Sequence, residues 1–164
     1  MQLNNQQHDA YLRAAALCSK YEKSSTGIYQ KLLNWGLNQE ETVPVLEKLT
    51  AEKFIDDERY SRSYVRDKFR FNKWGKVKIT YHLRMEKIPG AIIESALEEI
   101  EENNYRETLA GLIKEKNKNL QAANPYDRKA KLFRFAQSRG FEAGLIYPVI
   151  DEVIAREVKN TAEE

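Results

Sequence analysis

The 164-residue chain contains one cysteine, two histidines, four prolines and seven glycines. Each scarcity excludes something. A single thiol, Cys18, forms no internal disulfide, so nothing here needs an oxidising compartment. It lies in the apolar run 14–18 and reads as a small core side chain, not a nucleophile. His8 and His82 have no second histidine or cysteine at ligand spacing, so no metal site is expected. Glycine and proline are too few for an all-β chain, which turns every 8–12 residues or so. No glycine-rich phosphate loop occurs, and no cofactor is expected. No stretch approaches 18 apolar residues, and the N-terminus has neither a basic start nor an apolar run. The chain therefore reads as soluble and cytoplasmic, without membrane contact. Glu98-Glu99 and Glu101-Glu102 sit in a charge-rich helical run and read as a solvated face. No catalytic constellation emerges, and no enzyme is expected.

What is present is helical periodicity. Tyr11, Ala14, Ala15, Leu17, Cys18 and Tyr21 mark one amphipathic segment, and Ile28, Leu32 and Leu33 mark a second. The second ends at Trp35-Gly36-Leu37, where Gly36 suits a left-handed cap. Asn38 with Glu41 offers a capping box for a third segment carrying Val45, Leu46 and Leu49. Pro44 either falls in a late first turn of that helix or bends it.

A shift of 51 residues carries Ile28, Leu32, Leu37, Leu46 and Leu49 onto Ile79, Leu83, Ile88, Leu97 and Ile100. A further shift of 53 carries these onto Leu132, Ala136, Phe141, Ile150 and Val153, and Gly36 and Pro44 recur as Gly140 and Pro148. Apolar matches alone are weak, because any two amphipathic helices share them. The glycine, the apolar residue after it and the proline together are not. The expectation is an all-α fold of three tandem three-helix repeats, at 9–55, 56–102 and 103–158, forming an elongated, curved array between flexible termini at 1–8 and 159–164. A repeat of about 50 residues barely encloses a core, so each must lean on its neighbours. Such arrays offer long surfaces and few deep pockets, which favours binding to a polymer over small-molecule catalysis.

The segment Phe54-Ile55-Asp56-Asp57-Glu58-Arg59-Tyr60 reads as a helix start, with Asp56 as cap and Asp57 and Glu58 at the positive end of the dipole. Tyr60, Tyr64 and Phe71 share one face of that helix and are expected to be buried. On another face Arg59, Arg62, Arg66, Arg70 and Lys73 follow spacings of 3, 4, 4 and 3, within an arc of about 80° and about 21 Å of helix. Only Arg62 has a carboxylate four positions away, Glu58, so the stripe is not balanced within its own helix. Arginine's planar fork suits phosphate and carboxylate partners. Trp74 stays open between buried anchor and exposed contact, and Gly75 is expected to make the following turn.

The formal net charge of +2 conceals segregation. Residues 59–87 net +8 and residues 114–139 net +6, set among acidic stretches at 1–58, 88–113 and 140–164. Alternating zones of this kind suit a binder of nucleic acid or of an acidic protein surface. The candidate contacts are Arg59, Arg62, Arg66, Arg70, Lys73, Trp74, Lys76, Lys78 and Arg84. Trp35, Gly36, Asp56, Asp57, Tyr60, Tyr64 and Gly75 form the structural motif.

These residues resemble a known family. Tyr21-x-x-x-Ser25, Trp35-Gly36-Leu37 and the run from Phe54 through Asp-Asp-Glu-Arg-Tyr to Val65 are similar to the bacterial recombination regulators of the RecX family. Gly75 followed by Ile79, Leu83 and Lys87-Ile88 continues the pattern, and the resemblance covers about residues 10–158. Lys87 stands where the family more often has glycine, which leaves that turn open. The resemblance implies a modulator of RecA, the recombinase that coats single-stranded DNA. Family members typically lodge in the filament groove, inhibit its recombinase and ATPase activities, and have some affinity for DNA; a monomer is expected. The alternative reading is a direct DNA-binding helical protein with sequence-independent phosphate contacts. Against base-specific readout, the third helices begin with Glu40-Glu41, Pro89-Gly90 and Glu142-Ala143, poor material for a major groove.

Overall fold

A computed structural model describes residues 2–164. Nine helices occupy the described residues: α1 (Asn5–Lys20), α2 (Ser25–Asn34), α3 (Gln39–Ala51), α4 (Asp57–Asn72), α5 (Lys76–Met85), α6 (Gly90–Leu97), α7 (Glu102–Lys118), α8 (Pro125–Ser138) and α9 (Ala143–Ala162). They form three sets of three, and no strand occurs among the described residues. The fold is all-α, as expected.

Helix runs through both ends expected to be flexible. At the N-terminus, Asn4 and Gln7 form a capping box. Gln7 is buried and its amide donates to the Glu41 carbonyl at 3.0 Å, which anchors the first turn. At the other end, the Asn117 amide donates to Glu157 at 2.7 Å, and α9 continues to Ala162. Residue 1 lies outside the described residues.

The repeat is visible as burial. Ile28, Ile79 and Leu132 are wholly buried, and Leu32, Leu83 and Ala136 take the same place one turn later. Thr42, Ile93 and Ile146 match in the third helices, as do Val45, Ala96 and Val149. Pro44 and Pro148 each occupy the sixth position of their helices, inside and not before them.

The turn between second and third helices is also the same three times. The amide of Leu37 donates to the Leu32 carbonyl (3.2 Å), Ile88 to Leu83 (3.1 Å) and Phe141 to Ala136 (3.3 Å), the six-to-one bond of a left-handed helix ending. Gly36 and Gly140 supply positive φ, and Lys87 adopts φ 58° at the same point. The turn open at Lys87 is therefore the same turn, made by a residue with a Cβ penalty. Lys87→Gly is expected to stabilise the fold by about 1 kcal/mol, read as a higher urea midpoint at unchanged slope.

The chain divides into two compact units. The first gathers the chain up to Val65 together with His82–Ala96. Its core joins Ala10, Ala14, Ile28, Leu32, Val45 and Leu49, with Trp35 and Phe54 packed against it. The second comprises Arg66–Tyr81 and Leu97–Glu164. There Tyr105, Leu109 and Ile113 of α7 are buried together with Leu132, Phe141, Ile146 and Ile150. The Tyr105 ring lies 5.0 Å from Phe141 and 5.9 Å from Phe69.

Gly75 does not make the turn after α4. The left-handed residue is Lys73, at φ 54°, and the Trp74 amide closes that turn onto the Lys68 carbonyl at 3.1 Å. Gly75 is needed for close approach instead, because its amide donates to the Arg139 carbonyl at 2.7 Å.

Candidate partner-binding surface

In the first unit, the segment with Asp-Asp-Glu-Arg is a clasp. Asp56 caps α4 by accepting from the Arg59 amide at 3.0 Å. Asp57 accepts from both the amide (2.8 Å) and the hydroxyl (2.6 Å) of Ser25 at the start of α2. Arg59 donates to Glu22 at 2.5 Å and to the Lys53 carbonyl at 3.0 Å. The Ser24 hydroxyl, which caps α2, donates to Glu86 at 2.5 Å. The two most distinctive sequence motifs, around Tyr21–Ser25 and Asp56–Tyr64, thus meet each other. Arg59 belongs to this clasp and is not a free member of the stripe.

Tyr60 and Tyr64 are half-buried beside the same clasp, 5.8 Å apart. Burial, then Glu86, Tyr64 and Asp57, push the Tyr60 phenol up to about 12. Phe71, placed with them by periodicity, is 71% exposed. The apolar face is needed only along the packed part of α4, and the last turn of the helix extends past it. Trp35 ends α2 with the Arg13 guanidinium 4.3 Å over its ring. Arg84, in the last turn of α5, is exposed. Arg62 approaches Glu58 at 3.9 Å, the limit of an ion pair.

In the second unit, Arg66, Arg70 and Lys73 line one wall of a cleft of about 480 Å³, with Glu99, Ile100, Glu101, Asn104 and Thr108 opposite. Arg66 pairs with Glu99 at 3.6 Å. Arg70 and Lys73 make no ion pair among the described residues, and the Arg70 guanidinium lies 5.5 Å from the Phe71 ring. Such a pair of neighbouring cation and open ring can stack and bind charge at once. Phe71 was the functional candidate that periodicity concealed.

Trp74 is half-buried between two lysines, with Lys68 at 4.9 Å and Lys78 at 4.5 Å from its ring. It is therefore neither a core anchor nor an open contact, but the platform that holds Lys78. Lys76 is occupied: its amide donates to the Tyr105 hydroxyl (2.8 Å) and its ammonium to Glu102 (2.6 Å). Tyr105 in turn donates to Glu142 at 2.5 Å, and burial followed by that bond raises its pKa strongly.

The geometry supplies cationic and aromatic surface along α4 and the turn after it. Among the described residues no group of three His, Cys, Asp or Glu is placed to hold a metal, and no helix is long and apolar enough to cross a membrane.

Comparison with known proteins gives this arrangement a family. The family models described as the second and third three-helix domains of RecX match residues 56–97 and 104–150, more than half of the chain. Regulatory protein RecX of Clostridium acetobutylicum is 32% identical over 158 residues, which cover 91% of this chain and 72% of that protein. Its counterpart in Prosthecochloris aestuarii is 30% identical over 142 residues, 87% of this chain and 91% of that one. The chain spans 62% of the RecX of a Clostridium botulinum type E strain, at 28% identity. A RecX crystal structure superposes with a TM-score of 0.82 at 26% identity, over 90% of this chain and 74% of that one. RecX from Lactobacillus salivarius, 20% identical over 92% of this chain and 98% of its own, shares the fold with the same TM-score. By sequence, repeat structure and fold, this chain belongs to the RecX family of regulatory proteins.

Proposed function

We propose that the protein binds the filament of RecA on single-stranded DNA and lowers its ATPase and recombinase activities. The observation that carries this reading is family membership together with a cationic run in which Arg66 and Arg70 of α4 and Lys73 of the turn after it are exposed. An all-helical repeat with an exposed cationic run suits a binder that biases one state of a polymer. Inhibition then requires tighter binding to the filament state that is inactive or cannot grow than to the active one. Arg62, Arg66, Arg70, Lys73, Lys78 and Arg84 are the contacts that supply positive charge; Arg59 and Lys76 hold the fold.

The test is RecA-catalysed ATP hydrolysis and strand exchange on single-stranded DNA as the protein is titrated in. Both rates should fall and reach a plateau. No effect at saturating concentration removes the proposal.

A second reading, direct DNA binding through phosphate contacts, is favoured by the arginine-rich stripe alone. It predicts salt-steep binding to DNA without RecA, at affinities that exceed binding to the filament. The first reading predicts the reverse order.

A further inference from the structure

The exposed face of α7 carries a feature that the stripe does not explain. Asn104, Thr108, Gly111, Leu112, Glu115 and Asn119 recur at helical spacing along one side of the helix, flanking the buried line of Tyr105, Leu109 and Ile113. Three clefts share these residues end to end. The one walled by Arg66, Arg70 and Lys73 meets a second of about 530 Å³ at Asn104 and Thr108, which meets a third of about 560 Å³ at Leu112 and Glu115. All lie within the second unit. Together they make one groove along a 17-residue helix, about 25 Å long.

Gly111 stands at the midpoint. In a helix interior, glycine is the poorest residue short of proline. A Cβ at Gly111 would meet nothing within 4 Å, so no packing inside the chain requires its absence. Gly90 and Gly144 are equally open, but they lie in the first turns of α6 and α9, outside any helix interior. Gly111 alone among the open glycines bears a helix-interior cost that this chain does not repay. A ligand that approaches the backbone there would.

The groove's charge identifies the kind of ligand. Its cations are Arg66, Arg70 and Lys73 at one end, and Lys116 and Arg139 at the other. Its carboxylates are Asp67, Glu99, Glu101, Glu107 and Glu115, so the groove is formally neutral. Glu99 is paired with Arg66, and both Glu101 oxygens accept from the first amides of α7. Glu115 pairs with Lys118 at 3.2 Å, and what remains is positive at the ends, where Asp67 offsets one charge, and negative in the middle at Glu107. A phosphate backbone, negative throughout, would run past the Glu107 and Glu115 carboxylates that line the middle cleft. Apolar floor lies at both ends: Phe69, Phe71 and Ile100 at one, and Leu112, Leu120 and Phe135 at the other. The Phe135 ring has Lys116 at 5.3 Å and Arg139 at 5.4 Å.

We infer that this groove binds an amphipathic helix of a protein partner, with apolar anchors near each end and charges that run acidic, basic, acidic along its length. A helix of about four turns matches the span, and docking of its small-residue face over Gly111 brings the backbones close. The inference rests on the proposed action on RecA, and places the protein contact in the α7 groove, one end of which is walled by Arg66, Arg70 and Lys73 of the stripe.

The experiment compares Gly111→Trp, which fills the groove, with Gly111→Ala, which adds one methyl in open space. Both should fold, with Gly111→Ala raising Tm by about 2 °C. Two probes are used: RecA assembled on single-stranded DNA with a non-hydrolysable ATP analogue, and a single-stranded oligothymidylate alone. Gly111→Trp should weaken filament binding at least tenfold and change oligonucleotide binding less than twofold, while Gly111→Ala keeps both. If Gly111→Trp matches the wild type on the filament, the groove is not the protein contact, and the proposed function still stands. If it loses the oligonucleotide instead, the groove takes nucleic acid and the inference fails. A wild-type protein without effect on RecA removes the proposed function itself, independently of either variant.

Discussion

Gly75→Ala is expected to destabilise the second unit by about 3 kcal/mol or more. A Cβ there would lie 2.3 Å from the carbonyl carbon and oxygen of Gly140 and 2.4 Å from the Phe141 amide nitrogen. These are backbone atoms, so no side chain can rotate away. Nor can the two segments simply part. The Gly75 amide donates to Arg139 at 2.7 Å and the Val77 amide to Gly140 at 2.9 Å, and separation would leave both bonds unmade. The contact is closed from the other side too. A Cβ at Gly140 would meet the Lys78 Cβ at 2.3 Å, and Gly140 already sits at φ 93°. For a chain of this size the cost corresponds to a fall in Tm of roughly 6–12 °C. Gly144→Ala, whose Cβ meets nothing, is the control and should change Tm by no more than about 2 °C. Equal melting of Gly75→Ala and wild type would show that the turn after α4 tolerates separation from Gly140.

That contact also marks where sequence reading succeeds and where it stops. Periodicity located the buried positions because each helix must hide one stripe. Ile28, Ile79 and Leu132 are therefore equivalent both in the sequence shift and in burial. Turn chemistry was legible at Gly36 and Gly140, where positive φ selects glycine. At Lys87 it was not, because helix-terminal hydrogen bonds hold the same turn against the preference of the residue. Gly75 was read as a turn residue for the same reason in reverse. Its local sequence gives no hint of a backbone 65 positions later that approaches too closely for a methyl group.

The candidate site divides along the same line. Arginine spacing on α4 is a local property: Arg59, Arg62, Arg66 and Arg70 lie on that helix, whereas Lys73 falls in the left-handed turn after it. Which of them are committed is a tertiary property. Arg59 is bound to Glu22, 37 residues earlier, and Lys76 to Glu102, 26 residues later. Charge arithmetic also overstated the basic character of the cleft wall, because Glu99 and Glu101 come from the neighbouring acidic zone. Phe71 and Gly111 left faint signals: an aromatic at the end of a charged helix and a glycine inside one. Neither could be separated from ordinary packing without knowing what surrounds it.

The charge-reversal variant Arg62→Glu, Arg66→Glu, Arg70→Glu is expected to weaken filament binding at least about a hundredfold at low salt. Arg59 is left out because its reversal would face Glu22 and open the clasp at Ser25–Asp57. The three chosen positions carry no comparable structural duty. Arg62 meets Glu58 only at 3.9 Å, Arg66 meets Glu99 at 3.6 Å, and surface pairs of this kind contribute about 1 kcal/mol or less. The fold should survive, with unchanged helicity by circular dichroism. If each arginine holds one phosphate or carboxylate, a charge-assisted bond of about 1.5–3 kcal/mol is lost three times over, and repulsion adds to it. Salt dependence separates the two kinds of partner. Three lost contacts to single-stranded phosphate reduce the slope of log K against log salt by about 2. Lost contacts to a protein carboxylate surface reduce affinity with a much smaller change in slope. A variant that inhibits RecA and binds DNA as the wild type does would reduce the stripe to a solvated helix face. Loss of inhibition with retained helicity, and with Gly111→Ala still active, places function on this side of α4 and not in general destabilisation.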